Sequence, residues 1–558
     1  MSLPETLWAR WVRHAEALPD ARAVVHWRAG EEPTTWTRRA LLDDATRLAH
    51  VLREHGVGRG DVCALMLRHE PRFYPLYMAI AALGAIPSVL AYPNPRLHPD
   101  KFVHGLSGMA QRSGLRWLLT ERGLESLVTR VTNAENSTIQ GILFPHEWPR
   151  GAATAMACDA SPDDVCLLQH SSGTTGLQKA VALSHRAVLQ HVDGYATAIG
   201  LSASDIVASW LPLYHDMGLI AAFHLPLAAG ITCVQIDPFE WVAMPALLLQ
   251  VIARERATLA WLPNFAYNFM AERVRAEELD GVDLGSVRML VNCSEPVRAD
   301  SHAKFLERFA PLGLRADTLA ACYAMAETTF AASQTRPGSA ARVLSVDREA
   351  LRAGRATDTR DASAARRCVS SGIPIGGCVL KAVDGDGREV ADDAVGEIWI
   401  QSESMFDGYR NDPEKTAEAL RDGWYRSGDY GFRRGGEWFV VGRKKDVIIV
   451  AGRNLYPEDI EDAVGVVPGV LAGRVVAFGI DDEVLGTESV CVIAESTVRD
   501  EAGQRELRLA ILRAGMAIDV TVGRVYIAPP RWLIKSSAGK PSRSTNRDRV
   551  LGGELAAQ

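Results

Sequence analysis

The segment HSSGTTGLQKAVALSH, from His170 to His185, sets two glycines and four hydroxyl side chains ahead of Lys179. Bare backbone N–H groups, side-chain O–H groups and one ammonium can then converge on the oxygens of a polyphosphate. The spacing differs from GxxxxGK followed by Ser or Thr, which argues against a P-loop of the Walker type. Two interpretations stay open from this segment alone: a phosphate-binding loop, or a Ser/Thr/Gly turn that begins a helix at His185.

This segment lies within a long alternation of helical and strand-like patterns, from about residue 35 to residue 330. Short β-branched runs such as Val62 to Leu67 and Val287 to Val291 are typical of strands joined by crossover helices. Two longer apolar stretches, Met78 to Tyr92 and Leu219 to Ile236, contain glycine and proline, so they predict buried helix–strand pairs and not membrane spans. The pattern predicts a large α/β body with mostly parallel sheets.

The composition changes after this body. The stretch Arg336 to Val369 is rich in Arg, Ala, Asp and Ser and has little apolar periodicity, so we predict an exposed inserted loop there. Strand-like runs then occur at Val379 to Val383, Glu397 to Gln401 and Trp438 to Val441. They predict a small, mostly antiparallel subdomain, which ends at the charged sequence GRKKD, Gly442 to Asp446.

The rest of the chain mixes a strand at Val475 to Phe478, a helix at Leu507 to Met516 and a strand at Arg524 to Ile527. These elements predict a separate small α/β domain. A chain of 558 residues also exceeds what one hydrophobic core usually supports, so two or more domains are expected.

Charge and cysteine usage argue against several classes of protein. Lys and Arg total 61 against 68 for Asp and Glu, without a basic block, so neither nucleic acid nor an anionic membrane is an expected partner. The nine cysteines form no CxxC pair, which favours reduced thiols and a cytoplasmic location. The amino terminus lacks the apolar core of a secretory signal and predicts an amphipathic first helix.

Six further blocks follow the glycine-rich segment along the chain. They are SWLPLYHDMGL (Ser209 to Leu219), NCSEPVR (Asn292 to Arg298), CYAMAETTF (Cys322 to Phe330), YRSGDYGF (Tyr425 to Phe432), GRKKDVIIVAGRNLYPEDIE (Gly442 to Glu461) and IKSSAGKPSR (Ile534 to Arg543). In this order the blocks resemble the adenylate-forming superfamily, which includes acyl-CoA synthetases, peptide-synthetase adenylation domains and firefly luciferase. The resemblance extends from about Thr6 to Arg549. It is greatest to the fatty-acyl-AMP ligases, which carry an insertion where this chain has Arg336 to Val369.

The resemblance implies an α/β fold with a large, multi-subdomain N-terminal adenylate-forming domain (residues 1–443) and a small mobile α+β C-terminal domain (residues 444–558). It also implies a reaction in which ATP and a carboxylic acid give acyl-AMP and pyrophosphate, with Mg²⁺ as cofactor. The phosphopantetheine thiol of an acyl carrier protein then takes the acyl group. Because no serine follows Arg549, the carrier is expected in trans. Two alternatives stay open: an acyl-CoA ligase, and a non-catalytic nucleotide-binding relative.

Three residues receive catalytic roles from the resemblance. Lys540 contacts the acid and the α-phosphate, His215 borders the phosphate site and gates entry of the acid, and Glu327 binds Mg²⁺. Lys445 occupies the hinge on which the C-terminal domain turns. Taken alone, each residue also fits a structural role, as a surface or linker lysine, a structural histidine or an exposed helix acid.

The resemblance implies a nucleotide site drawn from several blocks. Asp429 and Arg443 hold the ribose hydroxyls, although an aspartate after glycine also fits a turn. Tyr323 stacks on the adenine, and Thr328 lies near the α-phosphate. The full set of ATP- or AMP-binding candidates is Ser171, Ser172, Gly173, Thr174, Thr175, Gly176, Lys179, Ser294, Glu295, Pro296, Cys322, Tyr323, Ala324, Met325, Thr328, Asp429 and Arg443.

Two positions of the implied acyl pocket depart from the family pattern. Cys293 and Ser294 replace the usual Gly and Ala, and their added atoms narrow the cavity and offer polar contacts, so the identity of the acid stays open. In the glycine-rich segment, Gln178 and Ala180 stand where relatives commonly carry Pro or Arg and Gly, while Lys179 is retained.

Overall fold

The computed structural model describes residues 5–93, 99–134, 137–148, 158–171, 179–451, 453–482, 487–535 and 541–555. In chain order its strands are β1 Arg22–Trp27, β2 Thr34–Thr37, β3 Val62–Met66, β4 Ile86–Val89, β5 Leu115–Thr120, β6 Gly141–Leu143, β7 Val165–Ser171, β8 Lys179–Ser184, β9 Ile206–Ser209, β10 Thr232–Ile236, β11 Leu259–Leu262, β12 Met289–Asn292, β13 Leu319–Ala324, β14 Ala331–Gln334, β15 Val343–Asp347, β16 Ala365–Val369, β17 Ile373–Pro374, β18 Cys378–Val383, β19 Gly396–Ser402, β20 Gly408–Tyr409, β21 Leu420–Arg421, β22 Trp424–Arg434, β23 Glu437–Arg443, β24 Ile448–Val450, β25 Arg453–Leu455, β26 Val470–Asp482, β27 Thr487–Ser496 and β28 Val522–Ala528.

The α-helices alternate with these strands through the first two thirds of the chain. They are α1 Leu7–Ala17, α2 Arg38–Glu54, α3 Phe73–Ala82, α4 Pro99–Ser113, α5 Glu125–Thr132, α6 His185–Ala198, α7 Leu225–Ala229, α8 Pro238–Ala243, α9 Ala246–Glu255, α10 Asn264–Arg273, α11 Ala299–Phe309, α12 Arg348–Arg352, α13 Pro413–Ala419, α14 Pro457–Gly465, α15 Glu501–Met516 and α16 Arg543–Leu551. A π-helix, Met217–His224, runs directly into α7. Within the described ranges, none of these helices combines the length and apolar character needed to cross a bilayer.

Two large sheets form the N-terminal part and confirm the predicted α/β fold. One has nine strands in the order β17-β14-β13-β12-β11-β9-β10-β1-β2, and its strands from β13 to β1 are parallel. The other has seven strands in the order β20-β8-β7-β4-β3-β5-β6, parallel from β7 to β6. Both apolar stretches are the predicted buried helix–strand pairs, α3 with β4 and α7 with β10.

The glycine-rich segment leads from one sheet strand to the next. Lys179 begins β8, which pairs antiparallel with β7, and α6 begins only afterwards at His185. The side chain of Ser184 caps α6 by accepting a hydrogen bond from the backbone N–H of Ala187. The strand between Lys179 and α6 therefore separates the lysine from the helix, and the segment is more than a helix-opening turn.

The C-terminal third holds smaller sheets, as predicted. Strands β18, β19, β22, β21 and β23 form one antiparallel sheet. Strands β26, β27 and β28 form a mixed sheet, in which β27 and β28 are parallel, and α14 packs against it. The second sheet has its own buried core, which includes Val475, Val492, Ile511 and Val525. The domain boundary between residues 443 and 444 stays a prediction.

The prediction of an exposed loop from Arg336 to Val369 is wrong. The segment folds into the antiparallel ribbon β15–β16 with α12 between the two strands. Leu344, Val346 and Leu351 are buried there in one cluster with Phe432 and Tyr456. Alternate residues of β15 face inward, so only two apolar side chains of that strand are buried. An alternation this short could not be recognised in the sequence among the many arginines and aspartates around it.

Candidate active site

A cavity of about 1120 Å³ opens where strands of both large sheets end. Several of the residues that line it follow the ends of strands: Leu67 follows β3, Trp210 follows β9 and Ser294 follows β12. Gln169 lines it near the end of β7. The carboxyl ends of parallel strands are the usual ligand-binding edge of an α/β sheet. The fold therefore places this cavity where a ligand site is expected.

At one end of the cavity, Asp429 lies between a cation and a phenol. Strand pairing sets Asp429 opposite Arg443, whose Nε lies 3.3 Å from Oδ1 of Asp429. Tyr323 donates a 2.6 Å hydrogen bond to the other oxygen, Oδ2. The charge of Asp429 raises the pKa of Arg443, while burial and then that same charge raise the pKa of Tyr323. Both carboxylate oxygens are thus held in fixed directions.

Glu327 is a buried acid on the cavity wall, only 7% exposed. Its Oε1 accepts a 2.8 Å hydrogen bond from the hydroxyl of Tyr409. The ammonium of Lys179 lies 4.3 Å from the centre of the Tyr409 ring, within the range of a cation–π contact. Burial, followed by the charge of Glu327, raises the pKa of Tyr409, so this phenol stays a donor. Tyr409 was missed in the sequence because a lone tyrosine there gives no signal of its long-range contact.

Several cations gather near Asp429. Lys179, Arg443, Lys444 and Lys445 all line the cavity. Burial, and then repulsion from Arg443, lowers the pKa of Lys445. Lys444 is paired with Glu397 at 2.8 Å. This concentration of positive charge favours a polyanion at this end of the cavity.

The predicted adenine and acyl residues divide between the wall and the interior behind it. Ser294, Glu295, Ala324 and Met325 line the cavity, and Ser294 does so with a left-handed φ of 66°. The predicted residues that do not line it, among those the structure describes, are Cys293, Pro296, Cys322, Tyr323 and Thr328.

For three of these five residues, the structure shows what surrounds them away from the cavity. The hydroxyl of Thr328 is fully buried and donates to the carbonyl of Phe330 at 2.9 Å. Cys293 lies behind the wall with its Sγ 3.0 Å from Sδ of Met217, a cavity residue. Pro296 is exposed. Their predicted roles stay predictions.

His215 lines the cavity in the turn ahead of the π-helix. Its backbone carbonyl accepts a 2.8 Å hydrogen bond from the backbone N–H of Leu219, in the first turn of that helix, and its ring lies 4.7 Å from the ring of Tyr214. The side chain is therefore held at the rim of a rigid element.

Part of the predicted site lies outside the described residues. Ser172, Gly173, Thr174, Thr175 and Gly176 fall there, as does Lys540, whereas Ser171 ends β7. A bridge between Lys535 and Pro541 brackets the segment that carries Lys540. Burial and the charge of Arg474 lower the pKa of Lys535, and the cavity residue Glu295 acts on it in the opposite direction.

A further part of the wall is apolar and was not predicted residue by residue, although charged side chains such as Arg68, Arg112 and Arg426 also line the cavity. Trp210 stacks on the buried Trp241 with ring centroids 3.6 Å apart, and Phe265 packs edge-on against both rings. Other apolar lining residues include Leu67, Phe73, Val89, Leu90, Leu211, Leu213, Met217, Phe239 and Val242. An elongated apolar ligand group fits this part of the cavity.

Comparisons with known proteins agree with this geometry. The model of the AMP-binding enzyme family matches residues 11–410. A putative acyl-CoA synthetase of Caulobacter vibrioides is 32% identical, covering 92% of this chain and 90% of its own length. A medium-chain-fatty-acid–[acyl-carrier-protein] ligase of Moorena producens is 35% identical over 71% of this chain and 69% of its own. A long-chain-fatty-acid–AMP ligase of Mycobacterium marinum is 30% identical over 93% and 91%.

A solved structure from a study of fatty acyl-adenylate ligases of E. coli and L. pneumophila superposes with a TM-score of 0.90 at 26% identity, over 99% of both chains. A second, the L. pneumophila ligase in complex with acyl adenylate and pyrophosphate, gives a TM-score of 0.73 at 27% identity over 98% of this chain and 96% of the other. This chain therefore belongs to the AMP-binding enzyme family and is an acyl-adenylate-forming ligase.

Proposed function

We propose that this ligase activates a fatty acid as its acyl-AMP and passes the acyl group to the phosphopantetheine thiol of an acyl carrier protein. The observation that carries the proposal is the division of one cavity into a cationic end and a long apolar end. ATP suits the first end by charge, and an alkyl carboxylic acid suits the second by burial. Relatives described as fatty-acid–AMP and fatty-acid–carrier-protein ligases support the same chemistry.

In the first step, a carboxylate oxygen of the acid attacks the α-phosphorus of ATP, and the bond from that phosphorus to pyrophosphate breaks. Both reactants are anions, so positive and hydrogen-bond-donating groups around the phosphates lower the barrier. Lys179 and Lys445 bring positive charge to the cavity wall. Lys540 adds its charge from the C-terminal domain and contacts both the acid and the α-phosphate.

The nucleotide is oriented by the residues around Asp429. Asp429 accepts hydrogen bonds from the ribose hydroxyls, and Arg443 keeps its carboxylate in place. Tyr323 supports the same carboxylate from β13, beside the adenine. His215 sits where the phosphates meet the acid and controls entry of the acid. The glycine-rich segment from Ser171 to Gly176 is proposed to offer backbone N–H and hydroxyl groups to the phosphate oxygens.

Glu327 would hold Mg²⁺. Its carboxylate reaches the cavity wall with one oxygen oriented by Tyr409, which suits a hard cation. Across the described ranges, no group of three or more His, Cys, Asp or Glu side chains could form a complete protein cage for a metal. One protein carboxylate plus phosphate oxygens is the ligand set that Mg²⁺ takes in such sites. The ion would neutralise charge on the phosphates.

The choice of a carrier protein over CoA rests on two supports. The ribbon formed by residues 343–369 stands where fatty-acyl-AMP ligases carry their insertion, and one relative is described as a fatty-acid–carrier-protein ligase. Lys445 acts as the hinge on which residues 444–558 turn after adenylation, so that the thiol can approach.

Acid-dependent exchange of labelled pyrophosphate into ATP tests the adenylation step with dodecanoate as the acid. Lys540→Ala should lower the exchange rate by roughly a hundredfold or more, because a charge that stabilises the transition state is removed. Lys304→Ala is the matched control, since Lys304 is an exposed lysine paired with Glu272 on the surface. If Lys540→Ala leaves the exchange untouched, the role assigned to Lys540 is wrong.

A single-turnover transfer assay tests the acceptor. Acyl-AMP formed in place is offered to the carrier with its phosphopantetheine arm, to the same carrier without the arm, and to CoA. Thioester should form on the first alone. Equal or faster transfer to CoA would establish the acyl-CoA ligase instead, and absence of exchange with every acid would favour a non-catalytic nucleotide-binding relative.

A further inference from the structure

Three apolar side chains on the cavity wall also face solvent. Phe239, Val242 and Phe265 line the cavity and are 75%, 53% and 38% exposed. Among the described residues, none of the other exposed large apolar side chains lines the cavity. Apolar groups that are contiguous with a cavity and open to water usually mark a ligand-binding opening. We refer to these three residues as the apolar portal.

The portal is held in place by a rigid support. Asp237 caps α8 by accepting hydrogen bonds from the backbone N–H groups of Phe239 and Glu240. Trp241 is fully buried on one side of α8 and stacks on Trp210. Phe239 and Val242 are three positions apart, so they share the other side of the helix. Their exposure thus follows from the anchoring of Trp241 and does not come from a loose loop.

The α8 part of the portal lies far from the nucleotide end along the nine-stranded sheet, whereas Phe265 follows β11 and its backbone N–H donates a 3.0 Å hydrogen bond to Oε2 of Glu295. Tyr323 and Asp429 meet at β13, whereas α8 follows β10. Four strand-to-strand steps separate β13 from β10. At about 4.8 Å per step, the two ends are roughly 19 Å apart. Between them Trp210, Leu211 and Met217 give the wall an apolar lining, and Ser294 and Glu295, which follow β12, add polar groups to it.

We infer that the acyl pocket is open-ended, and that the methyl end of a long-chain acid leaves the cavity through the apolar portal formed by Phe239, Val242 and Phe265. The inference rests on the proposed function, because the occupant is the alkyl chain of the acid that is adenylated. Each methylene that reaches the portal is removed from water against an aromatic or branched side chain. Such burial raises apparent affinity by roughly fourfold per methylene. Acids long enough to reach the portal are therefore the preferred substrates.

A chain-length comparison tests this inference on the full-length enzyme. The readout is the ratio of kcat/KM for hexadecanoate to kcat/KM for hexanoate in pyrophosphate exchange. Phe239→Ser should lower this ratio by roughly tenfold, and Phe239→Leu should restore most of it. Val466→Ser is the matched control, because Val466 is 82% exposed at the end of α14 and does not line the cavity. Phe239 is largely exposed, so its replacement removes little of the folding energy.

A second measurement probes the opening itself. Hexadecanoate with a dansyl group on its methyl end should bind and be adenylated, because its chain is long enough to reach the portal and an open portal lets the bulky group lie outside. The bound dansyl fluorescence should change in Phe239→Ser. Rejection of this acid while hexadecanoate is accepted would establish a closed pocket and overturn the inference.

The outcomes separate this inference from the proposed function. If Phe239→Ser catalyses exchange with an unchanged chain-length ratio, the open-ended pocket is wrong and the proposed function is unaffected. Absence of exchange with every acid removes the proposed function and the inference together. Loss of binding to phosphatidylcholine vesicles in Phe239→Ser, with the ratio unchanged, would assign the patch to a membrane surface and also overturn the inference.

Discussion

Tyr409 donates a 2.8 Å hydrogen bond to Oε1 of Glu327, although 82 residues separate them in the chain. The contact exists because β20 pairs with β8, which sets Tyr409 opposite Val181 and near Lys179. One phenol thus connects the acid proposed to hold Mg²⁺ with the lysine proposed to hold phosphates. Tyr409 is a positioning residue, since it acts on the nucleotide through these two neighbours.

We expect Tyr409→Phe to impair use of MgATP while it preserves the fold. The ring that contacts Lys179 is retained, and only the hydroxyl is lost. A hydrogen bond to a charged group contributes about 1.5–3 kcal/mol, so kcat/KM for ATP should fall by roughly tenfold or more. The Mg²⁺ concentration needed for half-maximal exchange should rise, and added Mg²⁺ should restore part of the rate.

The matched control for this prediction is Tyr195→Phe. The Tyr195 hydroxyl also donates a buried 2.8 Å hydrogen bond, to Oε1 of Gln334, but it lies away from the cavity wall. This variant should lower the unfolding midpoint without changing the Mg²⁺ requirement. A Tyr409→Phe enzyme with an unchanged Mg²⁺ requirement would show that the bond is only structural.

Asp429→Asn tests the ribose contact. The amide keeps the shape of the side chain but loses its charge, so the attraction to Arg443 disappears and one acceptor oxygen becomes a donor. KM for ATP should rise by roughly tenfold. The preference of the enzyme for ATP over its 2′,3′-dideoxy analogue should decrease, because the variant accepts hydrogen bonds from the ribose hydroxyls less well.

Asp392→Asn controls for loss of an aspartate in an ion pair. Asp392 is paired with Arg433 at 2.6 Å on the surface of the same small sheet. Exposed ion pairs contribute little to stability. The Asp392→Asn variant should therefore show the same preference for ATP over the analogue as the unchanged enzyme. Equal discrimination by the Asp429→Asn enzyme would contradict a ribose role for Asp429.

Local relationships of the site were predictable from sequence, and long-range ones were not. Asp429 and Arg443 stand on adjacent strands of one hairpin, so short-range spacing and the family motifs brought them together. The Tyr409 contact depends on a two-residue strand that joins a distant sheet, and no local pattern encodes such a pairing. The stacking of Trp210 on Trp241 likewise depends on how β9 and α8 pack, since tryptophan in an apolar run predicts burial but no partner.

The segment 336–369 is a second case in which the sequence did not reveal a long-range contact. Its composition suggested a solvated loop, because its eight arginines and three aspartates outnumber its six Val, Leu and Cys residues. Yet Arg366 is only 8% exposed, with its Nε 3.1 Å from Oδ1 of Asp459 and its Nη2 donating to the carbonyl of Val441. Charged residues that find buried partners look polar in the sequence and belong to the core in the structure.

Arg366→Met should strongly destabilise the protein. It leaves Asp459 buried without its cation, which costs about 3–5 kcal/mol of unfolding free energy. The double variant Arg366→Met with Asp459→Leu should recover most of this loss, because neither charge is then left unpaired. Urea unfolding followed by tryptophan fluorescence measures both. Arg342→Met, which breaks the exposed Arg342–Glu437 pair, should cost less than about 1 kcal/mol.

Acid should destabilise the protein through its buried histidines. Burial lowers the pKa of His191 and His224 to about 3 and the pKa of His302 to about 4. In the unfolded chain these groups titrate near 6.5, so below that pH the unfolded state binds more protons than the native state. Their stabilising contribution is complete above about pH 6.5 and is lost as the pH falls towards their native values. Each adds a slope of up to about 1.4 kcal/mol per pH unit in that window.

Urea midpoints measured from about pH 7.5 down to about pH 4.5 check this sign. His302→Gln should flatten the slope, because the glutamine oxygen can accept the 3.0 Å hydrogen bond from Asn292 without binding a proton. His55→Gln, at an exposed position, should leave the slope as it is. If the urea midpoint instead rises as the pH falls below about 6.5, these histidines are charged in the native protein. The neutral hydrogen bonds assigned to them would then be wrong.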